Sequence, residues 1–309
     1  MTTRSSFQRL ALWTTATTYF LILVGGLVRA SGAGLGCPDW PRCFGAWIPP
    51  ASAAELPLQF DPLLFNPSLM WTEYLNRLLG VIVGFLILAT VVSAWRHHRH
   101  ERRILWTSVA ALLLTGFQGW LGGRVVAHEL AAWIVTVHLI VALVIVQLLL
   151  YATVSARSFG ASPSGAPRTP VTRGASLLIL VTMIQIAIGT QVRGAVDVAI
   201  AGGVPRARVV ASVGMLDHLH RGAALVVLVG ALLIVRWLWS RFRREEILIR
   251  WATIVAGLAM TQVALGSVMA YGSLIPAAQV GHLTIASLLL GTETVLLLLG
   301  RYSGRESRG

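Results

Sequence analysis

Not one lysine occurs among the 309 residues; all 25 basic residues are arginine. Acidic residues number only 12 and cysteines two, and charged residues of either sign make up 12% of the chain. An ordinary soluble domain carries about twice that share of charge. With 56% hydrophobic residues and a mean hydropathy of +0.74, the shortage of charge excludes water as the main solvent and points to a bilayer. Two cysteines are too few for a disulfide-dense scaffold. The formal net charge of +13 raises nucleic acid as a partner, but no basic face interleaved with aromatics is present on which bases could stack. The arginines cluster instead in short polar gaps between apolar runs, as in Arg96-His97-His98-Arg99-His100-Glu101-Arg102-Arg103.

Eight runs have spanning length, at about 10–28, 72–95, 104–123, 131–153, 174–192, 215–239, 249–270 and 277–299. A helix needs about 20 apolar residues to cross the hydrocarbon core and satisfies its own backbone hydrogen bonds there. The first run follows Arg4 and Arg9 as a secretory signal would, but it lasts 19 residues and ends without an Ala-x-Ala site, so it is expected to stay as a span. Eight spans put both termini on one side. The N-terminus, the 96–103 gap, the 157–173 linker, the 236–250 gap and the tail hold 17 of the 25 arginines, which assigns them to the cytoplasm and the loop 30–71 to the outer side. The localisation expected is a bacterial-type inner membrane.

The Pro/Ser/Gly-rich stretch 161–170 marks the midpoint, and an internal repeat surrounds it. At an offset of 144, Glu73-Tyr-Leu-Asn76-Arg77 pairs with Asp217-His-Leu-His220-Arg221, Gln118-Gly-Trp-Leu-Gly122 with Gln262-Val-Ala-Leu-Gly266, and His138-Leu139 with His282-Leu283. Leu27-Val28-Arg29 pairs with Gln191-Val192-Arg193 at an offset of 164, because the first outer loop is 20 residues longer. The expected fold is an all-α integral membrane protein of eight transmembrane helices, arranged as two parallel, pseudo-twofold-related four-helix bundles. These are residues 1–156 and 174–309, joined by the linker 157–173.

Asn76, His138, His220 and His282 share one depth on the second and fourth span of each half. In each half the two positions are 62 residues apart, on non-adjacent helices of a bundle, an arrangement that clamps a planar cofactor such as haem from both faces. A lone membrane histidine can equally hydrogen-bond a neighbouring helix; the matched set favours ligation, since ionisable groups in a bilayer are costly. Arg77 and Arg221 follow the ligand positions, and Arg29 and Arg193 close the first span of each half, where they can pair with haem propionates or snorkel to the interface. Glu73 lies one turn before Asn76. It is either a helix N-terminal charge shared with Asp217, or a group for proton transfer and for stabilising a developing cation. Cys37 and Cys43 lie on the oxidising side, where a disulfide, a redox-active pair and, with fewer ligands at hand, a metal site are the readings. His218 is read as a loop-edge residue, His128 as a turn residue, and His97, His98 and His100 as a solvated charged face.

Gly25-Gly26-Leu27-Val28-Arg29-Ala30-Ser31-Gly32, leading to Cys37-Pro38-Asp39-Trp40-Pro41-Arg42-Cys43 and then to Glu73-x-x-Asn76-Arg77, resembles the haem A synthase family over essentially the whole chain. The resemblance implies oxidation of the C8 methyl of haem O to a formyl group, giving haem A for terminal oxidases. It implies a permanent haem b between His220 and His282, with the first half binding substrate haem through His138. By analogy Glu73 is the catalytic carboxylate. It also implies a haem O synthase as supplier, cytochrome oxidase assembly as destination and a separate redox partner, and it is compatible with a homo-oligomer. Many members carry histidine where this chain has Asn76, so Asn76 is either a weak contact to substrate iron or leaves that position open. A di-haem membrane cytochrome b acting only in electron transfer is the alternative, and Glu73 with the Asn76/His220 asymmetry discriminates against it. A transporter is disfavoured by the lack of Gly/Pro-broken half-helices.

Overall fold

The computed structural model describes residues 5–156, 168–206, 208–243, 245–272 and 274–302. These form eight long helices: α1 (Ser6–Ala30), α2 (Pro67–His98), α3 (Arg102–Ala127), α4 (Ala132–Ser155), α5 (Arg168–Ala201), α6 (Met215–Arg241), α7 (Glu246–Tyr271) and α8 (Pro276–Tyr302). All eight are long and apolar enough to cross a membrane, and the chain is a multi-pass membrane protein.

α1 and α2 start ahead of their apolar stretches because polar residues close those ends. Ser5 and Gln8 form a reciprocal capping box at the start of α1, which satisfies two donors that a helix N-terminus leaves free. Asn66 caps α2 by accepting the Leu69 N–H at 3.2 Å, and Pro67 follows in the first turn, where its fixed φ suits a helix start. His218, expected at a loop edge, sits exposed in the first turn of α6. α5 begins at Arg168, inside the stretch read as linker; residues 157–167 of that linker lie outside the described residues.

Helix adjacency falls into two rings. α1 packs on α2, α2 on α3, α3 on α4 and α4 on α1; α5 to α8 repeat this order. The rings meet through α1–α8, α4–α8 and α4–α5. Exchanging each helix for the one four places along leaves this set of contacts unchanged. The seam is packed by Ile22, Leu143, Val146 and Leu290. Thr136 and Thr190 hydroxyls bond across it at 2.6 Å, and Gln191 Nε2 donates to Thr136 at 2.7 Å. The helix at the centre is α8: 67% of its membrane window is buried, whereas no other helix exceeds 39%.

The long loop between α1 and α2 has a core of its own. Cys37 and Cys43 are joined in a disulfide, buried with Phe44 and Met70 beneath Phe60, Phe65 and Tyr74. The Asp39 carboxylate accepts the N–H groups of Phe44 at 2.6 Å and Gly45 at 2.9 Å. The Trp40 ring lies so close to α3 that a Cβ on Gly123 would be 3.0 Å from it. The loop is therefore seated on the first ring, over the end from which α2 and α4 start.

Candidate functional site

Two sites lie at matched depth. In the second ring, His220 on α6 and His282 on α8 face one another with ring centroids 6.2 Å apart and planes at 62°. Both line a cavity of about 430 Å³, a usual size for a small-molecule site. One nitrogen of each ring has a distinct environment. His220 Nδ1 lies 3.2 Å from the Gln185 carbonyl; in the tautomer that donates there, Nε2 is left with a free lone pair, the usual way a second hydrogen bond orients a metal-ligating imidazole. His282 is buried beside the Gln262 backbone, with Nδ1 the enclosed nitrogen, so that Nε2 is again the nitrogen left to take up a metal.

The rim of this cavity is cationic. Arg193 and Arg29 both reach Asp197, Arg193 at 3.0 Å, while Arg193 also donates to Gln279. Arg221 pairs with Asp217 at 2.6 Å and donates to the Tyr271 hydroxyl at 2.9 Å. Three guanidinium groups thus face two carboxylates, and Arg193 Nε is buried without an acceptor. Such a rim can take up an added carboxylate by charge-assisted hydrogen bonds. Arg29 belongs to the first ring by sequence but lines the cavity of the second.

In the first ring the matched residues are Asn76 on α2 and His138 on α4. Asn76 Oδ1, His138 Nδ1 and the neighbouring Gln118 Oε1 are all buried without partners. Gln118 Nε2 donates to the His138 carbonyl at 3.0 Å, tying α3 to α4 at the ligand level. Glu73 is buried, 5% exposed. Its Oε2 accepts the Cys37 N–H at 2.9 Å, and its Oε1 accepts from Arg77 at 2.5 and 3.1 Å. Arg77 also donates to the carbonyls of Asp39 at 2.8 Å, Arg42 at 2.9 Å and Cys37 at 3.4 Å. Its donors are committed to the cysteine loop and to Glu73, so the guanidinium expected beside a propionate is here the anchor of the loop.

Four glycines, which reading the chain alone did not single out, back the four candidate ligands. A Cβ on Gly25 would lie 3.9 Å from Asn76 Oδ1, on Gly122 3.8 Å from His138 Cε1, on Gly189 2.9 Å from His220 Cε1 and on Gly266 3.5 Å from His282 Cε1. Gly25 and Gly189 match at the offset of 164, Gly122 and Gly266 at 144. The repeat therefore carries a signal that could have found them. Away from these sites, His128 is tied to its own helix end, with Nδ1 3.0 Å from the Arg124 carbonyl. His98 pairs with Glu101 at 2.6 Å.

Comparison with known proteins adds an independent finding. Residues 8–294 match the family model described as cytochrome oxidase assembly protein, COX15-CtaA. The chain is 26% identical to the haem A synthase of Alkalihalophilus pseudofirmus over 81% of this chain and 83% of that one. It is 25% identical to that of Shouchella clausii over 84% and 85%. To that of Methylorubrum populi it is 31% identical, over 56% of this chain and 50% of the relative. With nearly its whole length matched by one model, the chain belongs to the COX15-CtaA family of cytochrome oxidase assembly proteins.

Proposed function

We propose that this protein is a haem A synthase, which oxidises the C8 methyl of haem O to a formyl group. The observation that carries the reading is the difference between two matched sites. One presents a facing histidine pair and a cationic rim; the other replaces a histidine by Asn76 and adds a buried carboxylate, Glu73, held by a disulfide-closed loop.

The second cavity fits haem b. The facing imidazoles of His220 and His282, 6.2 Å apart between ring centroids, leave room for a metal between them, and each ring is set against a backbone carbonyl region, Gln185 for His220 and Gln262 for His282, as a metal-ligating imidazole usually is. His220 and His282 would hold the iron, and Arg29, Arg193 and Arg221 the propionates. Haem b, when bound, supplies a centre that accepts and passes on single electrons.

In the first ring, His138 ligates substrate haem, and Asn76 leaves the opposite iron face free or weakly contacted. Glu73 holds or moves a proton at a carboxylate oxygen as the methyl is oxidised through successive hydroxylations, each adding oxygen as hydrogen is lost. The Cys37 N–H and the Arg77 guanidinium fix that carboxylate before substrate arrives, so little reorganisation is needed. The cysteine loop closes the site from the outer side. Both termini then face the cytoplasm of a bacterial-type inner membrane, a reading the distribution of arginine supports. A haem O synthase delivers the substrate, an external redox partner exchanges the electrons, and the product goes to cytochrome oxidase assembly.

The test is to express the chain with a haem O source, extract the haems and separate them chromatographically. A formyl haem is expected, and Glu73→Gln should keep bound haem while abolishing that product. Two unaltered haems in the wild-type protein, with redox partners present, would instead establish a cytochrome b acting only in electron transfer.

A further inference from the structure

Glu293 stands alone in the apolar run of α8. It is fully buried, at 0% exposure. Its Oε1 accepts the Thr182 hydroxyl from α5 at 2.9 Å, and its Oε2 is buried with no partner. A carboxyl group at membrane depth is expensive and is a functional group by default, and one with an orphan oxygen is more so, because a carboxylate left without donors loses its hydration unreplaced.

The position is not a product of the repeat. At the offset of 144 Glu293 matches Leu149, whereas Thr182 matches Thr18 at 164. Thr18 donates to its own backbone at Thr14; Thr182 gives its one proton to Glu293. The carboxyl has thus been added to the ring whose cavity presents the facing histidines.

Glu293 is also connected to that cavity. It follows His282 by eleven residues, which on a helix is about 20° of rotation and roughly 16 Å of rise, so both lie on one face of α8. Thr182, Ala286 and Leu289 line the cavity, and Thr182 joins Glu293 to it by its hydroxyl bond. Among the described residues no ion pair reaches Glu293. Of the helices packed against α8, α1 brings Tyr19, whose hydroxyl lies at Gly291 and donates to the Ser287 carbonyl at 3.4 Å. On α7 no ionisable residue stands between Arg250 and Tyr271; on α4 the ionisable residues are His138 and Tyr151, and on α5 the neighbours in sequence are Arg173 and Arg193. No fixed countercharge therefore holds the group in one state.

We infer that Glu293 is a proton-exchanging site for the second cavity, with Thr182 as its hydrogen-bonded link. This rests on the reading of that cavity as an electron-accepting site. When one electron enters the cavity from the oxidation proposed above, one proton from water binds Glu293 Oε2, and the added charge is balanced inside a low-dielectric interior. When the electron leaves to the redox partner, the same proton is released. A carboxyl that merely bolts α5 to α8 would exchange nothing.

Redox-induced infrared difference spectroscopy on the purified full-length protein tests this in the protonated-carboxyl region. The wild type should show a carbonyl band that changes with reduction and shifts in D2O; Glu293→Gln should lose it while keeping the haem b spectrum. A wild type with no such band, or a band that persists in Glu293→Gln, overturns the inference. Should Glu293→Gln fail to fold, Thr182→Val removes only the donor and must displace the band; an unmoved band is equally fatal. A protein that binds no haem b would overturn the reading of the cavity, while the same band followed by pH titration still reports whether Glu293 exchanges a proton.

Discussion

The backbone N–H of Cys37 donates to the carboxylate of Glu73 at 2.9 Å, so a cysteine of the loop disulfide directly orients the buried acid of the first site. Replacing both Cys37 and Cys43 by serine removes a small-loop constraint worth about 2 kcal/mol in the chain-entropy model and loosens this contact. A hydrogen bond to a charged group is worth about 1.5–3 kcal/mol, so haem A yield should fall roughly tenfold or more, with the haem b spectrum unchanged. Chromatography of extracted haems checks it; undiminished yield would show that the loop does not position Glu73.

Arg77 and Arg221 occupy matched positions but differ in weight. Arg77 holds Glu73 and three loop carbonyls, with its side chain 14% exposed against 35% for Arg221. Arg77→Ala leaves a buried carboxylate unpaired and should cost about 3 kcal/mol. Arg221→Ala also leaves a buried carboxylate, Asp217, without its cation, but it frees no loop carbonyls and its own side chain is more exposed, so it should cost less. Thermal unfolding in detergent should therefore rank the first variant well below the second, and equal midpoints would contradict the loop-anchor role.

The glycines behind the ligands make a graded test. A methyl at Gly189 would lie 2.9 Å from His220 Cε1 and must displace the ring, whereas at Gly25 it would lie 3.9 Å from Asn76 Oδ1, an ordinary contact. Gly189→Ala should shift or weaken the low-spin haem spectrum and lower the haem-to-protein ratio. Gly25→Ala should leave both as in the wild type. If the two behave alike, the glycines are not shaping the ligand positions.

Asn76 is the residue that separates the two sites. Asn76→His gives the first ring the same ligand types as the second, and the mutant should show a second low-spin haem signature and slower oxidation of haem O. Optical spectra of the haem-O-loaded variant read this; an unchanged spectrum would mean that position 76 does not reach the substrate iron.

Much of this was legible in the chain. The eight spans follow from apolar runs of bilayer length, and the matched depth of His138, His220 and His282 follows from an ungapped offset. What escaped depends on residues distant in sequence. Arg77 reads as a propionate partner until the loop is seen returning its own carbonyls to the guanidinium. Arg29 belongs by sequence to one ring and reaches Asp197 of the other. Glu293 hides in a run otherwise apolar enough to absorb one carboxyl, and its meaning appears only when Thr182 is brought beside it. The starts of α1 and α2 lie beyond the apolar runs, because the caps Ser5 and Asn66 are polar and carry no hydrophobic signal.

The burial of α8 has a consequence for biogenesis. α8 follows every other helix in the chain, yet it is the post on which α1, α4, α5 and α7 all lean. Until it inserts, the first ring meets the second only through α4 and α5, the seam around Ile22, Leu143 and Val146 lacks Leu290, and the second ring lacks His282. The pocket of the second ring therefore cannot be finished before α8 enters the bilayer, and a chain cut short ahead of it would present His220 with no facing histidine.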